Sequence, residues 1–284
     1  MDDGDGDAAQ GGQGGRLARA MRELGIPMKE ARHADAIRRI LVDQRRAARA
    51  RDFSPAAPTL NNFLSFALPR AHRAQGQIFQ DLWVLFELGV PEGGYFVEFG
   101  ATNGHTMSNT YLLETGHGWR GIVAEPNPDY HDALAANRGC AISHDCVWSE
   151  TGARLPFLCT AQAMFSRLAD VNPQDHNEAA KRADPREIMV ETITLDDLLD
   201  AHGAPDVIDY LSVDTEGSEL DILRAFDFSR RFVRCLSVEH NFTPMRHELH
   251  ALLTAQGYLR RFPEFTRFDD WYVHRDVAHP ENGA

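Results

Sequence analysis

A chain of 284 residues fits one α/β domain with an extension better than two full domains. Its 29 basic and 42 acidic residues give a formal charge of −13, and 43% apolar with 25% charged residues excludes extended disorder for most of it. No apolar run approaches the ~18 residues that span a bilayer, and MDDGDGDAAQ lacks the basic and apolar stretches of a signal peptide, so a cytoplasmic location with no membrane partner is expected.

Residues 1–15 are mostly Gly, Asp and Gln, have almost nothing to bury, and read as a disordered tail. Residues 16–51 carry eleven bases and four acids, and Leu17, Met21 and Leu24, then Ile37, Ile40 and Leu41, recur at helical spacing. This basic helical arm is expected either to grip an anionic acceptor, to join two copies into a homo-oligomer, or simply to present a solvated face. The remainder of the chain is strongly acidic, which does not suit nucleic acid as a partner. Pro55, Pro58 and Pro69 mark 52–69 as an irregular linker, so arm and linker are placed at 16–76 and the folded body at 77–284. Only Lys29 and Lys181 among the bases are lysine, a skew expected of a GC-rich bacterial genome. Cys140, Cys146, Cys159 and Cys235 form no CxxC pair and read as reduced, buried thiols.

From Gln77 onward, helix and strand signals alternate. Ile78, Leu82 and Leu85 predict a helix stopped by Gly89, and YFVEF (95–99) a buried strand. A helix through Leu112 and Leu113 leads to a strand at 121–125, after which Asn127 can cap a helix with Pro128 in its first turn. A third strand is expected within 140–148. Thr194 with Asp197 signals a helix start, followed by strands at 207–213 and 232–239. Thr243-Pro244 opens a last helix, and 258–262 and 271–274 can pair as antiparallel strands. The alternation implies a mostly parallel sheet with helices on both faces. Residues 155–187 are poorly periodic and suit a lid, a substrate segment or a surface excursion.

In such a sheet ligands bind beyond the carboxyl ends of the strands. After the first strand, Glu98-Phe99-Gly100-Ala101-Thr102-Asn103-Gly104 departs from the dinucleotide pattern G-x-G-x-x-G, because Thr102 and His105 stand at its second and third glycine positions and crowd a pyrophosphate. Glu125 ends the second strand, where a carboxylate accepts ribose hydroxyls. A nucleoside without phosphates, such as S-adenosylmethionine, suits this pair; a glycine turn and a strand-end acid with no ligand is the plain alternative.

FVEFGATNG with SNTYLLE, GWRGIVAEPNP, CVWSETG, DTEGSE and VEHNFTP, in that order, resemble the FkbM-type methyltransferases over about Gln77 to His274. The resemblance implies a Rossmann-like class I methyltransferase fold with seven strands, S-adenosylmethionine as cofactor, and O-methylation of a small molecule or glycan, most plausibly a sugar hydroxyl. It carries the glycine loop onto Glu98, Gly100, Ala101 and Gly104, the ribose acid onto Glu125 and the adenine-side acid onto Asp145. With Gln80, Thr102 and Asn127 these complete the candidate cofactor set.

Asp214 and Glu216 follow the fourth strand, and Glu239, His240 and Asn241 the fifth, facing the same crevice. Asp214, Glu239 and His240 are the candidate bases for removing the acceptor's proton. Asp214, Glu239 and Asn241 also offer oxygen ligands to a hard ion such as Mg²⁺. Asp214 and Glu216 as caps of the next helix, with His240 as a turn residue, would be the structural explanation of the same motif. Asp269-Asp270-Trp271 either borders the acceptor pocket or forms a turn. Two rival functions remain at this point: a nicotinamide-dependent oxidoreductase, and a non-catalytic partner-binding protein on a methyltransferase-like sheet.

Overall fold

The computed structural model describes residues 59–160, 165–171 and 185–278. The tail 1–15 and the basic arm 16–51 lie outside the described residues. The chain enters the described part with helix α1 (Leu60–Ala67), where the Thr59 hydroxyl oxygen accepts the Asn62 N–H at 3.3 Å, and a single 3₁₀ turn follows at Leu68–Arg70. The expected linker thus contains a packed helix. Phe63, Leu64 and Ala67 are fully buried, and the Phe63 ring lies 5.5 to 5.8 Å from those of Phe262, Phe265 and Trp271. The folded body therefore begins before Gln77: the prolines break the pattern, yet the apolar residues between them are spaced to fill one face.

Next come α2 (Gln80–Glu87), β1 (Tyr95–Phe99), α3 (Tyr111–His117), β2 (Arg120–Ala124), α4 (Pro128–Asn137) and β3 (Ala141–Ser143). The Asn127 cap forms as expected, its side-chain oxygen accepting the Asp129 N–H at 3.1 Å. After β4 (Cys146–Val147), β5 (Arg154–Cys159), β6 (Arg167–Leu168) and β7 (Arg186–Ile193), the chain continues through α5 (Leu195–Ala201), β8 (Val207–Val213), α6 (Glu219–Ala225), β9 (Phe232–Glu239), α7 (Met245–Ala255), β10 (Tyr258–Arg261), β11 (Asp269–His274) and α8 (Arg275–Ala278). Thr194 caps α5 through the Asp197 N–H at 3.1 Å.

The main sheet has seven strands in the order β10-β11-β9-β8-β1-β2-β3, with β11 antiparallel to both its neighbours and the others parallel. Alternate residues of its strands face two cores: Phe96, Val123 and Tyr210 join the aromatic layer of Phe63, Trp83 and Trp271, while Val97, Phe99 and Leu211 meet α5, α6 and α7. The sheet is the Rossmann-like α/β arrangement that the alternation implies.

Two expectations change. The stretch 140–148 is two strands in different sheets, β3 in the main sheet and β4 beside β7. Residues 155–187 contain β5, β6 and the start of β7, which with β4 build a second, four-stranded sheet. Cys146, Cys159 and Cys235 are buried, Cys140 is half-buried, and all four are free thiols. Among the described residues, no helix is long and apolar enough to cross a membrane.

Removing a fully buried aromatic side chain typically costs about 3 to 5 kcal/mol. Phe63→Ala is expected to lower the unfolding free energy read from urea titration by an amount in that range, and a loss below about 1 kcal/mol would place α1 outside the cooperative fold.

Candidate active site

β1 is flanked by β2 on one side and β8 on the other, so the chain winds outward in both directions and leaves a crevice at their carboxyl ends. Gly100 sits at that point with φ +67°, and a Cβ there would stand 2.0 Å from the Asp214 carbonyl oxygen. Only glycine lets the two loops pass. The loop after Gly100 is anchored from below by buried Glu98, which accepts from the Asn109 N–H (2.7 Å), the Ser108 hydroxyl (2.9 Å) and the Thr110 hydroxyl (2.5 Å). The buried Arg138 guanidinium reaches the same carboxylate at 3.3 Å and Glu114 at 2.5 Å.

The loop's own N–H groups are largely spent inside the protein. Ala101 donates to the Ala124 carbonyl, Thr102 to Glu125, and His105 and Thr106 to the Asn103 side chain. A pyrophosphate needs such donors free.

A cavity of about 340 Å³ opens over this loop, within the size range of small-molecule sites. At one end lies Glu125, buried, with one oxygen accepting the Thr102 N–H and the other the Asn127 N–H, both at 2.8 Å. Each oxygen keeps a second lone pair. Burial outweighs these bonds and pushes the carboxyl up to about 7. Asp145 lies beside an apolar slot formed by Cys146, Val147, Phe157 and Leu168, all from the second sheet. Burial pushes the Cys146 thiol up to about 12, so it lines this slot as an unreactive apolar group.

The other end is acidic. Parallel register sets Val213 beside Val238, which brings the next residues, Asp214 and Glu239, together, while antiparallel register sets Asp269 opposite Glu239. Carboxylate atoms of Asp214, Glu216 and Glu239 converge within 4.8 Å of one another. Withdrawal from water, reinforced by Asp269, pushes the Asp214 carboxyl up to about 8, and burial next to Asp214 raises Glu239 well above the usual range. Glu219 ties this turn, accepting from the Thr215 and Gly217 N–H groups at 2.9 and 3.1 Å.

Of the sequence candidates, Glu98, Gly100, Ala101, Thr102, Glu125, Asp145, Asp214 and Glu239 line the cavity, Glu98 with its carboxylate engaged by the loop. Four do not. Gln80 is buried behind it, bonded to Asp269 at 2.6 Å; Gly104 packs on Leu134 and Arg138; Asn127 is a helix cap. His240 is turned away, its Nδ1 accepting the Phe242 N–H at 3.0 Å, and burial lowers its ring to about 4. It holds a turn and is not placed to serve as the base. Asp269 and Asp270 begin β11, bonded to Gln80 and to Arg246 (2.7 and 2.9 Å), and Trp271 is core. The sequence reading missed Met107, Ser108, Asn109, Phe157, Phe165, Leu168 and Phe268, all of which line the cavity. Ser108 and Asn109 stood in the SNTYLLE stretch; the others carried no signal.

The sheet with this crevice at its carboxyl ends is a Rossmann-like α/β fold. Residues 98–260, more than half of the chain, match the methyltransferase FkbM domain family, and the chain belongs to that family. Among solved structures it is similar to methyltransferase FkbM from Methylobacillus flagellatus KT, at 18% identity and a TM-score of 0.43, over 90% of this chain and 65% of that one. It is also similar to precorrin-6y C5,15-methyltransferase from Geobacter metallireducens GS-15, at 11% identity and a TM-score of 0.37, over 68% of this chain and 85% of that one. The chain thus spans slightly less than two thirds of the Methylobacillus protein. No curated protein sequence matches it.

Glu125 ionises near the ordinary carboxylate value of 4.5 when unfolded and at about 7 in the fold. Between those values the unfolded chain binds fewer protons, so this group's contribution to stability is lost as pH rises through that window. Glu125→Gln should therefore gain stability relative to the parent between about pH 5 and pH 7.5, measured by thermal melting without ligand. A difference constant across that range would contradict the buried placement.

Proposed function

We propose that this chain transfers a methyl group from S-adenosylmethionine to a hydroxyl oxygen, the acceptor being a sugar on a glycan or natural product. The observation that carries the reading is the cavity wall: among the described residues it holds six carboxylates, a glycine loop whose N–H groups are largely engaged, and no lysine, arginine or histidine. Such a wall favours a cationic nucleoside and opposes a pyrophosphate, which also counts against a nicotinamide cofactor.

The residues fit the cofactor. Glu125, held by two backbone N–H groups with lone pairs to spare, would accept the ribose hydroxyls. The slot of Val147, Phe157 and Leu168 suits the adenine ring, with Asp145 beside it to accept from the ring's amino group. When bound, S-adenosylmethionine supplies an electrophilic methyl group on a sulfonium. The chain's own part is to align the acceptor oxygen and take its proton. Asp214 and Glu239 are placed for this: enclosed carboxylates with raised pKa are stronger bases once ionised, and positive charge at the transfer end favours their ionised form. Support for a sugar acceptor comes from the family resemblance.

S-adenosylmethionine at a tenfold excess over its dissociation constant should stabilise the protein by roughly 1.4 kcal/mol in thermal melts, and NAD should not. Glu125→Ala should weaken that binding by about 1 to 3 kcal/mol in calorimetric titration; unchanged affinity in a folded variant would remove Glu125 from the site. Asp214→Asn should lower methyl transfer to a sugar panel by about 10² or more with cofactor affinity little changed. A fully active variant would exclude Asp214 from proton removal.

A further inference from the structure

We propose that a second cavity, at the amino end of the sheet, binds a small aliphatic carboxylate. This cavity, of about 160 Å³, lies where α1, the turn after it, α2 and α3 meet, and it shares no lining residue with the acidic one. α2 leads into β1 and α3 into β2, so it stands at the opposite end of the strands from the crevice. Its floor is apolar: Leu82, Leu85 and Leu112 are buried, and Val90 stands beside them, 39% exposed. Its rim is basic. Arg70, Arg73 and His117 line it, and among the described residues no carboxylate does. In a chain of formal charge −13 this is a local reversal of sign, and a cleft lined by one sign of charge concentrates the opposite ion.

The basic groups are held in place with donors to spare. Arg70 donates from Nη1 to the Phe66 carbonyl at 2.9 Å, and its guanidinium carbon lies 4.2 Å from the centroid of the Phe66 ring. Arg73 lies across the last turn of α3, where a Cβ on Gly116 would stand 2.9 Å from its Nη2. The carboxyl end of a helix draws a cation to that position, yet it does not consume the donors: among the described residues neither guanidinium pairs with a carboxylate, and that of Arg73 makes no hydrogen bond. Burial, reinforced by Arg73, holds the His117 ring below its ordinary pKa against the opposite pull of Glu92, which leaves a neutral N–H donor beside two cations. Guanidinium and imidazole N–H groups above a floor of leucines match a carboxylate head on an aliphatic tail. A cavity smaller than the usual drug-sized site limits that tail to a few methylenes. The site is independent of the methyltransferase reading.

The test is a calorimetric titration of the full chain with hexanoate, acetate and hexylamine. One hexanoate should bind per chain, about tenfold or more tightly than acetate, since burying about two methylenes already supplies that factor, and hexylamine should not bind. Arg70→Gln and Arg73→Gln should each weaken hexanoate by about fivefold or more. Val90→Asp sets a carboxylate on the cavity wall at a position whose φ of +59° suits Asp better than Val, and it should abolish binding while the melting temperature is kept. Absent hexanoate binding, affinity no higher than that of acetate, equal binding of hexylamine, or hexanoate binding unchanged in folded Arg73→Gln and Val90→Asp would each overturn the site.

Discussion

The strand register at the carboxyl end of the sheet is the constraint from which the chemistry follows. Val213 lies beside Val238, so Asp214 and Glu239 leave the sheet together, and β11 brings Asp269 alongside. Like charges opposite one another on neighbouring strands destabilise a sheet, and enclosure makes the repulsion stronger. The fold answers part of it with protein donors, Gln80 for Asp269 and the 215–217 turn for Glu219. The rest is left facing the cavity. An acid pair kept in that state suits a positively charged reactant and the uptake of a proton, which is why the proposal puts the transfer end here and not at Glu125.

A second device keeps the two ends in register. Glu98 and Arg138 form a buried ion pair that also takes in Glu114, Ser108, Thr110 and the Gly104 carbonyl. Removing one partner of such a pair leaves a charge stranded, while the complete network fixes one conformation. Through Asn109, whose side-chain amide donates to Ser212 at 3.0 Å, the loop is tied to β8 as well. The glycine loop is therefore held against both strands that frame the crevice, and its backbone donors are turned inward. That engagement is what the proposed preference for a nucleoside without phosphates rests on.

Much of this was legible in the sequence where short-range chemistry decides. The Asn127 and Thr194 caps, the strand ends carrying Glu125, Asp214 and Glu239, and the glycine turn at Gly100 all formed as their residues suggested. Long-range pairing was not legible. Residues 155–187 looked poorly periodic, yet Arg154–Cys159, with Pro156 inside it, is a strand between β6 and β7 that supplies Phe157 to the cavity. Phe63 looked like linker because its partners, Phe262, Phe265 and Trp271, are some two hundred residues away. His240 looked like a base because it follows the fifth strand at the crevice; its ring instead faces Asp270 and the Phe242 N–H, a direction that sequence position does not encode.

The placement of the nucleoside at Glu125 and of the transfer end at Asp214 is open to one direct observation, a crystal structure of the full chain with S-adenosylhomocysteine. Ribose hydroxyls within about 3 Å of the Glu125 carboxylate, adenine in the slot of Val147, Phe157 and Leu168, and the sulfur turned toward Asp214 and Glu239 is the expected result. A ligand bound in the reverse direction, or bound away from Glu125, would contradict the assignment of both ends.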